Sequence, residues 1–166
     1  MMQKVPSARK FIYLSICLMT ISCSSNKLII SKDQTDILNE ILYSSDYNVY
    51  YKTIISDLNK PLEDYITSAM EFQFCENESI KPNEISFLKK QKLEVINLYK
   101  LPLNIKEKIT RKKKDIKTSH ISIPILFRNN TMALYYNTQR DGGSFMLLQK
   151  KETKWEIICS SLIWIE

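Results

Sequence analysis

Glycine and histidine are scarce in this chain, and their scarcity excludes several kinds of site. Only two glycines occur among 166 residues, and they are adjacent, at Gly142 and Gly143. Phosphate-binding and dinucleotide-binding loops need spaced glycines that let the backbone approach the ligand, so neither loop can be built here. His120 is the only histidine, which excludes a metal site with two histidine ligands. Its position at a strand start, after a basic run, indicates an exposed residue rather than a catalytic base.

Cysteine is also sparse, and its spacing argues against metal or redox chemistry. The four cysteines lie at positions 17, 23, 75 and 159, and no two have C-x-x-C spacing. Acidic pairs such as Asp33 and Asp36 fall at predicted helix starts, where negative charge complements the helix dipole. The sequence therefore predicts no catalytic residue, no metal ligand and no cofactor, and it indicates a protein that is not an enzyme.

Residues 1–22 have the pattern of a cleaved export signal. Lys4, Arg9 and Lys10 form a basic head, and an apolar run follows from Phe11 to Ile21. A short apolar stretch behind positive charge, closed by a small residue, is typical of a signal peptide. The run is well short of the ~20 residues that cross a bilayer as a helix. Its removal leaves 144 residues (166 − 22), enough for one domain with its own core.

The end of this signal, Thr20-Ile21-Ser22-Cys23, resembles a bacterial lipobox. In prolipoproteins the cysteine thiol receives a diacylglyceryl group and the residue becomes the new N-terminus, so the resemblance implies lipidation of Cys23. Two or more acyl chains give stable membrane anchoring. The implied location is the cell envelope, on the periplasmic or outer-surface side of a bacterial membrane, with residues 23–30 as a tether. The alternative is an ordinary secretory signal in which Cys23 is incidental.

Two further cysteines would remain as free thiols in an oxidising compartment. Cys75 and Cys159 can pair, which would close a loop of about 85 residues and stabilise the fold by ~3–5 kcal/mol. Alternatively each is buried separately as a small apolar side chain. Cys159 lies among core-forming residues, which favours the second interpretation.

The charge of the chain is concentrated in one segment. The net charge is +6, and three basic residues leave with the signal, so the mature surplus is too small to indicate nucleic acid as a partner. Residues 106–117 hold seven basic and two acidic side chains. They form either a solvated loop or helix face, or a contact with anionic lipid head groups, at ~1 kcal/mol per basic residue. No aromatic residue separates the charges, so stacking on bases is not indicated.

Helical patterns come first in the mature chain. Ser31 and Gln34 have capping-box spacing, and the apolar side chains of the next turns share one face. Those side chains are Ile37, Leu38, Ile41 and Leu42. Further helices are predicted after Pro61 and over 84–92, whereas 49–55 suits either a strand or a helix.

Strand patterns fill the last third. Four strands are predicted over 120–127, 132–137, 144–150 and 154–159, with 162–165 continuing or pairing again. Pro124 has no amide hydrogen, so the first strand should lie at an edge or carry a bulge. Asp141-Gly142-Gly143 predicts a hairpin. The fold class is therefore α+β: residues 31–166 form a single domain of N-terminal helices packed on a C-terminal antiparallel β-meander of about four strands.

Adjacent tyrosines in the second strand provide the one candidate binding surface. Tyr135 and Tyr136 point to opposite faces, so one of them should lie on the outer face or line a cavity. With Arg140 at the next turn, the exposed tyrosine would form a binding patch.

Residues 84–166 contain a series of short motifs: Phe87-Leu88-Lys89-Lys90-Gln91, Ser122-Ile123-Pro124-Ile125, Ala133-Leu134-Tyr135-Tyr136, Gly142-Gly143, Leu147-Leu148-Gln149-Lys150, Trp155-Glu156-Ile157 and Trp164. Through these motifs the segment resembles a group of small uncharacterised lipoproteins from Bacteroidetes-type bacteria. The spacing from Lys150 to Ile157 also resembles the sheet edge of nuclear-transport-factor-2-like domains. These motifs belong to a folded sheet, so the resemblance implies a fold and a location but no reaction.

Three functions fit these observations. The leading hypothesis is a membrane-anchored lipoprotein of the cell envelope with a non-catalytic binding or structural role, partnered by the membrane and by an envelope protein. The second is an immunity or inhibitor protein that neutralises an envelope-acting toxin or hydrolase. The third is a small-ligand carrier or enzyme that uses a cavity in the sheet.

Overall fold

The computed structural model describes residues 30–54, 80–91, 93–113 and 117–165. The predicted signal peptide, Cys23, Cys75 and the helix expected after Pro61 lie outside these residues. The described elements, in chain order, are α1 (Lys32–Ser44), β1 (Asn48–Tyr50), α2 (Pro82–Lys89), a 3-10 turn (Leu98–Lys100), β2 (Ile109–Thr110), β3 (Thr118–Ile121), β4 (Ile125–Phe127), β5 (Met132–Gln139), β6 (Gly142–Lys151) and β7 (Lys154–Ile165). No helix among them is long and apolar enough to cross a bilayer.

The strands form one mixed sheet, so the α+β class is confirmed. Their order is β2-β1-β3-β5-β6-β7, and β4 lies beside β5 in line with β3. β1 pairs with β2 and β3 in parallel, whereas all pairs from β3 to β7 are antiparallel. The predicted arrangement of N-terminal helices on about four antiparallel strands does not match, because the sheet has seven strands and a parallel edge. β1 and β2 have only three and two residues, too few to show an alternating pattern.

Helix α1 forms where the capping box predicts it. The Ser31 hydroxyl accepts a hydrogen bond from the Gln34 amide at 3.1 Å, and Gln34 Oε1 accepts one from the Ser31 amide at 2.9 Å. The four apolar side chains of its inner face are buried against one face of the sheet, where they meet Val49, Ile121, Tyr135 and Trp155. Burial of each such side chain contributes about 1.5–3 kcal/mol, so packing stabilises this helix more than propensity does.

The opposite face of the sheet carries a second core. Leu88 of α2 is buried there with Phe127, Met132, Leu134, Tyr136, Phe145 and Leu147. Strand β5 therefore has neighbours on both faces, and its first five residues are all buried. A strand covered on both sides carries a continuous apolar run rather than a polar-apolar alternation.

The hairpin between β5 and β6 is confirmed, although its turn differs from the prediction. Gln139 pairs with Gly142, which leaves Arg140 and Asp141 as the two turn residues. Both glycines begin β6, and neither has a positive φ.

Candidate functional site: a groove beside the edge strand β4

An open groove lies between the start of α1, residues 91 and 93–96, and strand β4. Its volume is about 430 Å³, which falls in the range of small-ligand and peptide sites. The apolar lining consists of Ile30, Leu93, Ile96, Ile123, Pro124, Ile125 and Leu126. The polar lining consists of Ser31, Gln34, Gln91, Glu94 and Asn130.

The groove lies where strand pairing is interrupted between β3 and β4. The Ser122 hydroxyl accepts a hydrogen bond from the Tyr136 amide at 2.9 Å, and the Ser122 amide donates to the Tyr136 carbonyl at 2.8 Å. Residues 122–124 are not in a strand, and the ladder resumes at Ile125. The predicted single strand 120–127 is therefore two strands: β3 lies inside the sheet, and β4, which follows Pro124, lies at an edge of the described sheet. Pro124 itself lies between the strands, a position that suits a residue with no amide hydrogen for the ladder.

Gln34 joins the wall of the groove to this break. Its Oε1 completes the capping box of α1, and its Nε2 donates to the Pro124 carbonyl at 2.9 Å. Both ends of the amide are therefore engaged, and the start of α1 is held at a fixed distance from β4. An ion pair between Lys150 Nζ and Asp33 Oδ1 attaches the same turn of α1 to the end of β6.

Strand β4 presents an unpaired edge to the groove. Within the described residues, β4 pairs only with β5, and Leu126 aligns with Ala133. In an antiparallel ladder alternate residues direct their N–H and C=O groups away from the neighbouring strand. This edge therefore offers backbone hydrogen-bonding groups beside an apolar surface.

The far end of the groove is formed by a left-handed turn. Arg128, Asn129 and Asn130 have φ values of 50°, 53° and 60°, and the Thr131 amide donates to the Arg128 carbonyl at 3.1 Å. Positive φ at both central residues is the requirement of a type I′ turn, and asparagine tolerates it better than most residues. A non-glycine residue in this region costs about 1 kcal/mol or more, so the surrounding contacts must hold the turn.

An ion pair between Arg128 and Glu84 supplies that restraint. Arg128 Nε donates to Glu84 Oε1 and Nη2 donates to Oε2, each at 2.8 Å. Glu84 is the third residue of α2, and its Oε2 also accepts the Lys81 amide at 2.9 Å. The hydrogen bonds from Arg128, followed by that from Lys81, outweigh the effect of burial and lower the pKa of Glu84 to about 2. The pair therefore stays ionised at neutral pH and fastens the turn to α2.

The chemistry of the groove suits binding of an extended chain. Its polar side chains are mainly amides, which both donate and accept hydrogen bonds. Its one carboxylate, Glu94, is exposed at the rim. Among the described residues, no cluster of three or more His, Cys, Asp or Glu side chains is placed to hold a metal ion.

The predicted tyrosine patch is wrong. Tyr135 is 4% exposed in the first core and Tyr136 is 1% exposed in the second, because both faces of the sheet are covered. Burial raises the pKa of the Tyr135 hydroxyl far above its usual range. Arg140 is exposed at the hairpin turn, and its Nε lies 4.0 Å from Asp141 Oδ1. The three residues do not form one surface.

The expected exposure of His120 is also wrong. The residue is 8% exposed, its ring lies 4.8 Å from that of Tyr50, and its Nε2 is 3.4 Å from the Lys113 carbonyl oxygen. β1 lies beside β3 in the sheet, and Lys113, after β2, approaches the histidine ring. Neither contact is visible in the local sequence.

Cys159 lies on β7 and is disulfide-bonded. The interpretation of Cys159 as a separately buried thiol is therefore wrong. Its bonding partner lies outside the described residues, as do Cys23 and Cys75, so the pairing of Cys75 with Cys159 stays a prediction.

Sequence reasoning found Pro124 and the capping box but missed the groove itself. Gln34, Gln91 and Asn130 come from three separate segments, and no spacing in the sequence brings them together. The only local signal was the edge position of Pro124, which marked the strand beside which the groove lies. In comparisons with known proteins, this chain matches no family model, no curated protein and no solved structure.

Proposed function

We propose that this protein is a lipid-anchored protein of the bacterial cell envelope that binds another envelope protein and performs no catalysis. The signal-like residues 1–22, the lipobox-like Cys23 and the resemblance of residues 84–166 to small lipoproteins support the location. The anchor faces the periplasm or the outer surface. Residues 23–30 tether the domain to that membrane, and the groove beside β4 receives the partner.

The single observation that carries the binding role is the edge of β4 along the groove, with which no described strand pairs. A partner segment in extended conformation adds to such an edge, with main-chain hydrogen bonds for affinity and pockets for alternate side chains for specificity. The apolar wall at Ile123, Ile125 and Leu126 supplies those pockets, and the amides of Gln91 and Asn130 border them. The Gln34 hydrogen bond to the Pro124 carbonyl already fixes the start of α1 relative to β4, so the groove is formed before a strand enters it.

The same edge supports one alternative, an immunity or inhibitor protein. Such a protein neutralises a toxin or hydrolase by occupying it, and an edge strand next to an apolar groove provides one means of doing so. Co-purification with a toxin encoded by a neighbouring gene, followed by loss of toxin activity on binding, distinguishes this alternative from a structural role.

The anchor is tested by the intact mass of the protein from the membrane fraction, compared with the Cys23→Ala variant. We expect a lipid-sized addition that the variant lacks. A soluble, unmodified mature chain would contradict the anchor.

The binding role is tested by site-specific photo-cross-linking in intact cells. A cross-linking residue at position 94 replaces Glu94 at the rim of the groove. Position 95 is the control, because the Val95 side chain is exposed but does not line the groove. We expect one protein adduct from position 94 and none from position 95. With the purified partner, Glu94→Trp should weaken binding at least tenfold and Val95→Trp should leave it unchanged. Equal effects at the two positions would refute the groove as the binding site.

A further inference from the structure

Residues 106–113, the described start of the basic segment, do not form an isolated solvated loop. Ile109 and Thr110 pair with β1 as strand β2, at the edge of the sheet. Lys108 Nζ donates to the Ser45 carbonyl just beyond the end of α1, and Lys106 Nζ lies 3.4 Å from the Tyr99 carbonyl oxygen. These two lysines are engaged within the fold, so their charge is fixed in place beside β2.

Tertiary structure brings aromatic rings to this segment that the sequence keeps far apart. The Arg111 guanidinium lies 5.9 Å from the ring centroid of Tyr51 and 5.6 Å from that of Tyr99. Lys52 Nζ lies 5.4 Å from the Tyr51 ring. The two rings are 6.3 Å apart, and the Tyr99 hydroxyl donates to the Ile109 carbonyl at 2.7 Å. Two cations thus converge on one half-buried tyrosine pair.

We name this surface the cationic edge: Lys52 and Arg111 at the rings of Tyr51 and Tyr99, with Lys112 and Lys113 next to Arg111 in the chain. All four basic side chains are exposed, and the ion pairs among the described residues involve other side chains. Glu107 is the only acidic residue between positions 106 and 113. The edge therefore carries a concentrated positive charge without a described carboxylate partner.

We propose that the cationic edge binds an anionic membrane surface, as a second contact beside the lipid anchor. The inference rests on the proposed function for the presence of that membrane. Phosphate head groups complement the guanidinium and ammonium groups, and tyrosine rings are favoured at the boundary between head groups and acyl chains. Each basic residue close to an anionic surface strengthens partitioning roughly fivefold.

The position of α1 brings the anchor and the cationic edge within reach of the same surface. The tether after Cys23 spans at most about 25 Å, and α1, with 13 residues, is about 20 Å long. The tether ends at the start of α1, and Lys108 contacts the chain just beyond the helix's other end. A lipid anchor with a basic patch is a two-signal attachment, in which each contact raises the local concentration for the other.

The test uses the lipidated protein, purified from membranes and reconstituted into phosphatidylcholine vesicles with or without one-third phosphatidylglycerol. Flotation with the neutral vesicles is measured first, because its failure refutes the anchor and not the cationic edge. A water-soluble acylating reagent then labels exposed lysines, and mass spectrometry quantifies Lys52, Lys112 and Lys113. Lys154, exposed on β7 at the opposite edge of the sheet, is the internal reference.

We expect the labelling of the three lysines to fall at least threefold on the anionic vesicles, while the labelling of Lys154 stays unchanged. About 0.5 M salt should reverse the fall, since salt screens exposed charge. Arg111→Gln should restore the reactivity of Lys112 and Lys113, and the control Lys90→Gln, at an exposed position just after α2, should not. Equal labelling on the two kinds of vesicle would overturn the proposal. Protection that appears only after an acidic envelope protein is added would also overturn it, in favour of a protein partner.

Discussion

Glu84→Gln should destabilise this protein more than the loss of any exposed ion pair does. Glu84 is 11% exposed and receives two hydrogen bonds from Arg128 and one from the Lys81 amide. The difference between an ordinary glutamate pKa of 4.5 and the value of about 2 corresponds to about 3 kcal/mol of stability at pH 7. Arg128 is 27% exposed and keeps some hydration in the variant, so we expect a loss of about 2–3 kcal/mol.

The effect should depend on pH in a defined direction. The pKa of Glu84 is lower in the folded chain than in the unfolded chain, so its contribution is fully present above about pH 4.5. The contribution is lost as the pH falls from about 4.5 through 2, because the folded state must then take up the proton. The wild type and Glu84→Gln should therefore converge in stability near pH 2.

Both predictions are tested by the free energy of unfolding in urea, followed by circular dichroism without reductant at pH 7, 5 and 3. Glu156→Gln is the matched control, because Glu156 pairs with Lys151 at 2.7 Å and both side chains are at least half exposed. Exposed pairs contribute less than about 1 kcal/mol. If Glu84→Gln costs no more than Glu156→Gln, or if its cost is the same at pH 3 and pH 7, then the Arg128 contact does not stabilise the turn as argued.

Three further perturbations address the break, the disulfide and the end of α1. Ser122→Ala removes the hydroxyl that accepts a hydrogen bond from the buried Tyr136 amide and should reduce the free energy of unfolding by about 1–3 kcal/mol. An unchanged denaturation midpoint would show that this hydrogen bond does not stabilise the fold. Cys75→Ser should expose one additional thiol, at Cys159, to a thiol reagent under denaturing, non-reducing conditions; a thiol count that does not rise would mean that Cys159 has another partner. Lys108→Met removes a cation from the end of α1 and should cost about 0.3–1 kcal/mol in thermal unfolding, a loss that disappears at high salt if the interaction is electrostatic.

Two matched variants show how much stability is lost when a side chain with a weaker contact is removed. Ser86→Ala removes a hydroxyl that bonds within its own helix at an exposed position, so its effect should stay within about 0.5 kcal/mol. Lys106→Met removes a lysine whose contact with a carbonyl is long, at 3.4 Å, and should cost less than Lys108→Met.

Local rules predicted the elements that depend on neighbouring residues. The capping box at Ser31 and Gln34, the buried face of α1 and the hairpin before Gly142 all rest on contacts a few residues apart. The irregularity at Pro124 follows from one missing amide hydrogen. Each of these patterns can be read from residues close together in the chain, although the burial of the inner face of α1 also needs the sheet.

The failed predictions all concern which surfaces are covered. Tyr135 and Tyr136 alternate as expected, yet both are buried because α1 and its core lie on one face and Leu88 lies with the other core. His120 is buried because β1, 68 residues or more upstream, pairs in parallel beside it. A sequence pattern shows on which face a side chain lies, but not what covers that face.

The sequence by itself determined the fold class, the start and inner face of α1, the break at Pro124, and the export-signal pattern from which the anchoring hypothesis follows. Each of these depends on residue type and short spacing. Only the tertiary structure decided that both faces of the sheet are buried and that Gln34, Gln91 and Asn130 line one groove beside β4. It also decided that Arg111 lies over the rings of Tyr51, 60 residues upstream, and Tyr99, 12 residues upstream. The physical reason is that strand pairing and helix packing join segments far apart in the chain, and those contacts leave no periodic signal in the sequence.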